Sequence, residues 1–156
     1  MKPIPSVLLA LLMLSACMRT GMFEKNVSFR EHHWPIAEKP LIRFDIQDTS
    51  ASYRLYFVFR HTDAYRYNNI WIKVTSTTPG DSIPQTQTFD LPLATQNKWN
   101  GTAMDDIIEQ RILLSQRALR VRKPGTYTFT IEHLMREDPL EEVLNAGIRL
   151  EKTTMP

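Results

Sequence analysis

Apolar and polar residues alternate one for one through most of this chain, and that period admits few architectures. Ile42, Phe44 and Ile46 are interleaved with Arg43 and Asp45, and Tyr53, Leu55, Phe57 and Phe59 with Arg54, Tyr56, Val58 and Arg60. Successive side chains of a strand point to opposite faces, so a period of two marks strands with one buried face. Ile70 to Thr77 repeats the pattern, with Ile70, Ile72 and Val74 on one side and Trp71, Lys73 and Thr75 on the other, and it runs into Pro79-Gly80-Asp81. That turn signal predicts a hairpin. Gln85 to Leu91 carries the β-favouring Thr86, Thr88 and Phe89 and stops at Pro92; Thr126 to Ile131 follows Pro124-Gly125; Ile148-Arg149-Leu150 reads as a last strand. Only Asp105 to Leu114 has helical spacing, through Ile107, Ile108, Arg111 and Ile112 behind an Asp cap, and one turn of helix leading into a strand is expected there. Seven to nine short strands without alternating helices predict an all-β chain, an antiparallel β-sandwich, immunoglobulin-like or jelly-roll-like, with one short helical turn.

The N-terminus follows a different grammar. Lys2 precedes the unbroken apolar run Val7 to Leu14, which closes on Leu14-Ser15-Ala16-Cys17. The run is too short for the ~20 apolar residues of a bilayer span. Small residues ahead of a single cysteine are what a lipoprotein peptidase and a thiol-acylating transferase require, whereas an ordinary secretory signal needs no cysteine. Residues 1–16 are therefore expected to be removed, Cys17 to carry acyl chains such as palmitate, 17–25 to serve as a tether and 26–156 to form one domain. Two or more acyl chains hold a protein on a bilayer where one binds marginally. Cys17 is the only cysteine of the 156 residues, so the body has no disulfide and no thiol nucleophile. Nineteen Lys and Arg stand against seventeen Asp and Glu, with Lys2 in the leader. So nearly neutral a body offers no whole-protein argument for nucleic acid.

Candidate chemistry is sparse. Adjacent His32 and His33 diverge if extended, which disfavours a shared metal site. His61 and Asp63 fall in the polar stretch Arg60 to Asn69, read as a solvated turn rather than a base with its orienting acid. The carboxylate pairs Asp105-Asp106 and Glu141-Glu142 are sequence neighbours, which diverge on a strand, and no nucleophile elbow, phosphate loop or zinc-protease motif occurs. No catalytic residue, metal or cofactor is expected. Arg111, Arg117, Arg120, Arg122 and Lys123 form a basic stretch without an intervening acid. It suits anionic headgroups or an acidic partner, but the adopted reading is a solvated edge strand kept from pairing by charge. The candidate binding surface is Tyr56, Arg60, Trp71 and Lys73 on the polar sides of two central strands, large aromatics amid charges being a binding-site composition. Trp34 or the helical turn is the alternative cover for Trp71, and Trp99 before Gly101 is expected to seal one end of the sandwich.

Along nearly its whole length the chain resembles the gliding-motility lipoproteins of the Bacteroidetes called the GldH family. The resemblance rests on the lipobox, Trp34, Phe44-Asp45-Ile46-Gln47-Asp48 with Tyr53 and Leu55, Arg60 with Tyr65 and Asn69, Lys98-Trp99-Asn100-Gly101 and Pro124-Gly125-Thr126-Tyr127. Most specific are Ile131-Glu132-His133-Leu134-Met135-Arg136 and Gly147-Ile148-Arg149-Leu150-Glu151-Lys152, with His133 standing where the family pattern has Gln. The resemblance implies a non-enzymatic lipoprotein needed for surface gliding and tied to type IX secretion. The expected function is an assembly or scaffold component that binds other gliding or type IX envelope proteins. Met18 and Arg19 after the cysteine, with no acid before Glu24, lead to an outer-membrane lipoprotein on the periplasmic face. The alternative is a glycan-binding lipoprotein in which Tyr56, Trp71 or Trp34 stacks on sugar rings.

Overall fold

The computed structural model describes residues 21–153, and the leader and Cys17 lie outside them. The described chain forms twelve strands: β1 (Met22–Ser28), β2 (Leu41–Ile46), β3 (Ser52–Thr62), β4 (Asn69–Thr77), β5 (Gln85–Pro92), β6 (Ala94–Thr95), β7 (Lys98–Trp99), β8 (Thr102–Met104), β9 (Ile107–Leu113), β10 (Leu119–Arg120), β11 (Gly125–His133) and β12 (Val143–Thr153). One sheet has the order β1-β12-β3-β9-β8, with β10 continuing along β3 beyond the end of β9; the other has the order β2-β11-β4-β5; β6 and β7 make a small separate hairpin. All pairings are antiparallel, as the all-β sandwich reading required.

The chain passes from one sheet to the other at most of its connections, so the two inner faces are brought together by the topology itself. Phe57 and Phe59 of β3, Ile148 and Leu150 of β12, Ile70 and Ile72 of β4, and Phe129 and Ile131 of β11 are all within 2% of full burial. Each such side chain contributes about 1.5–3 kcal/mol through the area it removes from water. Along the β1–β2 side the sheets are tied: Phe23 meets both Phe44 and Tyr53 at centroid distances of 6.3 and 6.0 Å, and the Lys25 ammonium donates to the Arg43 carbonyl at 2.6 Å. The opposite chain ends of the sandwich differ in character. The 47–51, 78–84 and 121–124 connections lie at the end where β1 begins. The 29–40, 63–68 and 134–142 connections lie at the other, where Trp34 and Leu140 exchange two backbone hydrogen bonds of 2.9 Å.

Three expectations are corrected. The segment Asp105 to Leu114 is not helical: β8 and β9 form a hairpin around a two-residue turn opened by Asp105 at φ 57°. Asp tolerates that left-handed conformation better than most residues, and Ile108, Gln110 and Ile112 then alternate inward as a strand requires. The helical turn is instead the short 3-10 element Arg30–His32. Residues 22–25, expected to belong to the tether, lie in β1, where Met22 to Ser28 are registered residue for residue against Glu151 to Asn145. The 79–81 turn does close the β4–β5 hairpin, with Gly80 at φ 87°.

Trp34 is fully buried, stacked on Phe29 at 4.8 Å and donating its indole N–H to the Glu38 carbonyl at 2.7 Å. Trp34→Ala is expected to cost about 3–5 kcal/mol in urea denaturation, the range for truncating a buried aromatic. Gly147 faces Asn26 across β1, and an added methyl would fall on the Lys25 carbonyl and within 2.8 Å of the Asn26 Cα. Gly147→Ala is accordingly expected to lose about 1–3 kcal/mol, and hydrogen exchange should report the loss first in β1.

Candidate functional site

The four residues expected to share one surface are divided between two. Tyr56 and Arg60 lie on β3 and Trp71 and Lys73 on β4, and these strands are central to different sheets, so their polar sides look away from each other. The period-two assignment of each strand was sound; what it lacked was sheet membership. Trp34 does not cover Trp71, being packed instead between Phe29 and His133.

On the outer face of the first sheet, acids and arginines interlock across four strands. Glu24 of β1 accepts from Arg149 of β12 at 3.0 Å and from Arg111 of β9 at 3.2 Å; Arg149 also holds Glu151 at 2.6 Å, and Glu109 bridges Arg111 and Arg60. Arg111 must cross β3 and β12 to reach Glu24, and Val58 and Gly147 occupy those crossings in register. This explains why Val58 has no exposed surface on an outward-facing position. Burial raises the Glu24 carboxyl, but the Arg149 and Arg111 guanidiniums more than offset it and hold it below the ordinary carboxylate range. Arg60 is thus a structural ion-pair partner, leaving Tyr56 as the aromatic of that face.

The outer face of the second sheet is different. Thr126, Thr128 and Thr130 of β11, Thr75 and Thr77 of β4, and Thr86 and Thr88 of β5 carpet it with hydroxyls, Thr75 and Thr86 meeting at 3.1 Å. Lys73 is paired with Glu132 at 3.1 Å, and Lys39 reaches the same carboxylate at 2.9 Å. At the end of this face farthest from the start of β1, Trp71 keeps 44% of its surface exposed and Leu134 keeps 42%. With Tyr67, Asn69, Met135 and Arg136 they wall a groove of about 430 Å³. Leu134 donates its amide to the Trp71 carbonyl at 2.8 Å, and the Trp71 amide points to the Met135 sulfur at 3.3 Å, so the groove rests on an ordered backbone. Leu134, Met135 and Tyr67 were absent from the candidate surface, since they lie in connections whose path no period reveals. Exposed apolar rings and aliphatics ringed by polar groups suit a protein side chain or a sugar ring. Of the three aromatics proposed to stack on sugars, Trp34 is buried and Tyr56 lies on the other sheet, so Trp71 alone remains at this groove.

His61 is not in a solvated turn. It ends β3 inside the core, fully buried, with Trp99 edge-on at 4.6 Å and Tyr65 at 5.1 Å. Trp99 in this way closes the end of the core, as expected of it. The His61 Nδ1–H donates to the Thr62 carbonyl at 2.7 Å, which leaves Nε2 to accept from the Gln110 amide at 3.0 Å; the second Gln110 N–H serves the Leu93 carbonyl at 3.0 Å. Asp63 takes no part, its backbone N–H being bound to the Asp106 carbonyl. The arrangement requires a neutral imidazole. His133, also buried, lies edge-on to Trp34 at 5.0 Å. Among the described residues no three His, Cys, Asp or Glu side chains converge as a metal site.

Burial pushes both His61 and His133 below their ordinary 6.5, more than the Thr62 and Trp34 backbone groups raise them. The stability that these neutral imidazoles lend is complete above 6.5 and is lost as pH falls through their lowered native values, because the unfolded chain binds protons first. Urea midpoints measured from about pH 7.5 down to about pH 5 should fall, and the fall should be smaller in His61→Gln.

The GldH lipoprotein family model matches residues 21–150, which spans every described strand but the last three residues of β12. A curated relative, the gliding motility lipoprotein GldH homolog of Christiangramia forsetii, is 23% identical over 153 residues, covering 92% of this chain and 91% of its own length. This match along nearly every described strand makes the chain a member of the GldH lipoprotein family.

Proposed function

We propose that this gliding-motility lipoprotein works without catalysis, as an assembly or scaffold component that holds other envelope proteins of the gliding and type IX secretion machinery. It does so from the periplasmic face of the outer membrane, anchored through acylated Cys17. The single observation that carries the binding role is the Trp71–Leu134 groove, an exposed aromatic and aliphatic pair on an otherwise polar face. In the direction of β4, Trp71 stands six residues from Thr77, about 20 Å along the strand and away from the end where the chain enters the domain. A membrane-held domain would offer such a groove outward to a partner. Catalysis finds no support at His61, whose two ring nitrogens are engaged by Thr62 and Gln110 in the core.

The test is a mild-detergent pull-down from native envelopes with the C-terminally tagged, lipidated chain, alongside Trp71→Ala, Leu134→Asp and Cys17→Ala. Gliding or secretion components are expected with the parent and at least tenfold depleted with either groove variant, since hot-spot truncation costs on the order of 2 kcal/mol or more. Undiminished recovery with both variants would remove the groove from the account. Retained glycan with no protein would replace the scaffold reading by sugar binding at Trp71.

A further inference from the structure

We propose that a basic groove at the end of the sandwich where the chain enters seats net-anionic headgroups of the anchoring leaflet, so that the domain stands with this end against the bilayer. The inference rests on acylation of Cys17 and adds an orientation to it. Position comes first. Lys152 donates its amide to the Gly21 carbonyl at 2.6 Å, Lys152 is paired with Tyr53, and Tyr53 with Leu119 of β10. β10 is therefore three strand spacings from Gly21 in the same row, about 14 Å away. Only three residues separate Cys17 from Gly21, a span of at most about 14 Å even when extended. This end of the domain cannot stand far from the surface that holds the acyl chains.

Charge comes second. Arg120, Arg122 and Lys123 line a groove of about 460 Å³ together with Thr78 and Tyr127, and Arg117 lies in the connection just ahead of β10. All four cations are exposed, and none makes an ion pair among the described residues. Arg60, Arg66, Lys73, Arg111, Arg149 and Lys152 are paired, and the other described cations without an ion pair, Lys25, Arg43, Arg54, Lys98 and Arg136, stand one to an element, so the cluster is what sets these four apart. One carboxylate, Asp81, lines the groove, accepts from the Thr78 hydroxyl at 2.5 Å and offsets one of the four cations; of the other acids at this end, Asp48 is taken by Lys152 at 2.6 Å and Asp45 accepts from Gln47 at 2.7 Å. Residues 1–20 and 154–156 contain no Asp or Glu. Lys123 runs along the 79–81 turn, its Nζ 2.6 Å from where a Cβ on Gly80 would stand, and Gly80 itself is favoured by its φ of 87°.

The competing explanation, that these charges merely protect an edge strand, accounts poorly for their number. β10 is two residues long, and an edge so short presents little backbone for another strand to pair with. Anionic headgroups, by contrast, reward every added cation, each raising surface partition roughly fivefold near an anionic bilayer and losing that effect in salt.

The experiment uses the full lipidated chain in floated vesicles of phosphatidylcholine alone or with about one third phosphatidylglycerol, a composition whose surface attracts basic residues. Single-cysteine probes, Ser82→Cys at the entry end and Lys98→Cys at the far end, are labelled with a water-soluble maleimide, Cys17 being blocked by its acyl group. Labelling at position 82 is expected to slow at least about fivefold on the anionic vesicles, and to recover in high salt or when Arg120, Arg122 and Lys123 are replaced by Gln. Labelling at position 98 should be the same on both. Equal labelling at position 82 on both vesicles, in protein that floats with them, would overturn the proposal and leave the groove to an acidic protein. Protein that fails to float would overturn the acylation of Cys17 instead.

Discussion

The pairing of β3 with β12 is the interaction on which the rest of the molecule depends. The two eleven-residue strands stay in register from Ser52 against Thr153 to His61 against Val143, with one irregularity near Asn145. Their inward side chains form a continuous apolar floor that no strand of the same sheet can cover. Only a second sheet about 10 Å away can do so, and the connections that cross between sheets deliver β2, β4 and β11 to that position. β1 and β9 then extend the floor on either side, and the aromatic contacts of Phe23 with Phe44 and Tyr53 join the two layers at one margin.

Once the inner faces are committed, the outer faces are free to differ, and they do. The first sheet turns its charges on one another in the Glu24, Arg149, Arg111, Glu109 and Arg60 series, which covers Val58 and leaves few groups to meet a partner. Exposed ion pairs of this kind contribute little individually, and their value here lies in being joined and in sheltering an apolar residue. The second sheet is rich in threonine on its outer face, pairs Lys73 with Glu132 there, and carries its one exposed tryptophan at the end away from chain entry. The four clustered cations Arg117, Arg120, Arg122 and Lys123 lie at the opposite end. The described domain is thereby polarised along its strands, with a cluster of unpaired cations at the end where β1 begins and an exposed aromatic groove at the other.

The local half of this organisation was legible in the residues. Alternation identified β2, β3, β4 and β11 nearly to their ends, Pro79-Gly80-Asp81 announced the β4–β5 hairpin, and Trp99 closed an end of the core as its turn suggested. The misreadings have one origin. Ile107, Ile108, Arg111 and Ile112 satisfy helical spacing over a few residues as well as strand spacing, and the neighbour that decides is β3, fifty residues earlier in the chain. His61 looked solvated because Arg60, Asp63 and Arg66 surround it in sequence, while Gln110, Trp99 and Tyr65 surround it in space.

A strand's period depends on its own backbone geometry, so the sequence alone settles which side chains share a face of one strand, where turns interrupt it and that the chain is built of sheets. Its family grammar is likewise written in local motifs. Which strands share a sheet is decided by non-local hydrogen bonding and by the need to bury two apolar floors against each other, and no local pattern records it. That is why Tyr56 and Arg60 parted from Trp71 and Lys73 only in three dimensions. It is also why the Trp71–Leu134 groove, made where β4 meets the connection after β11, has no signature in the chain.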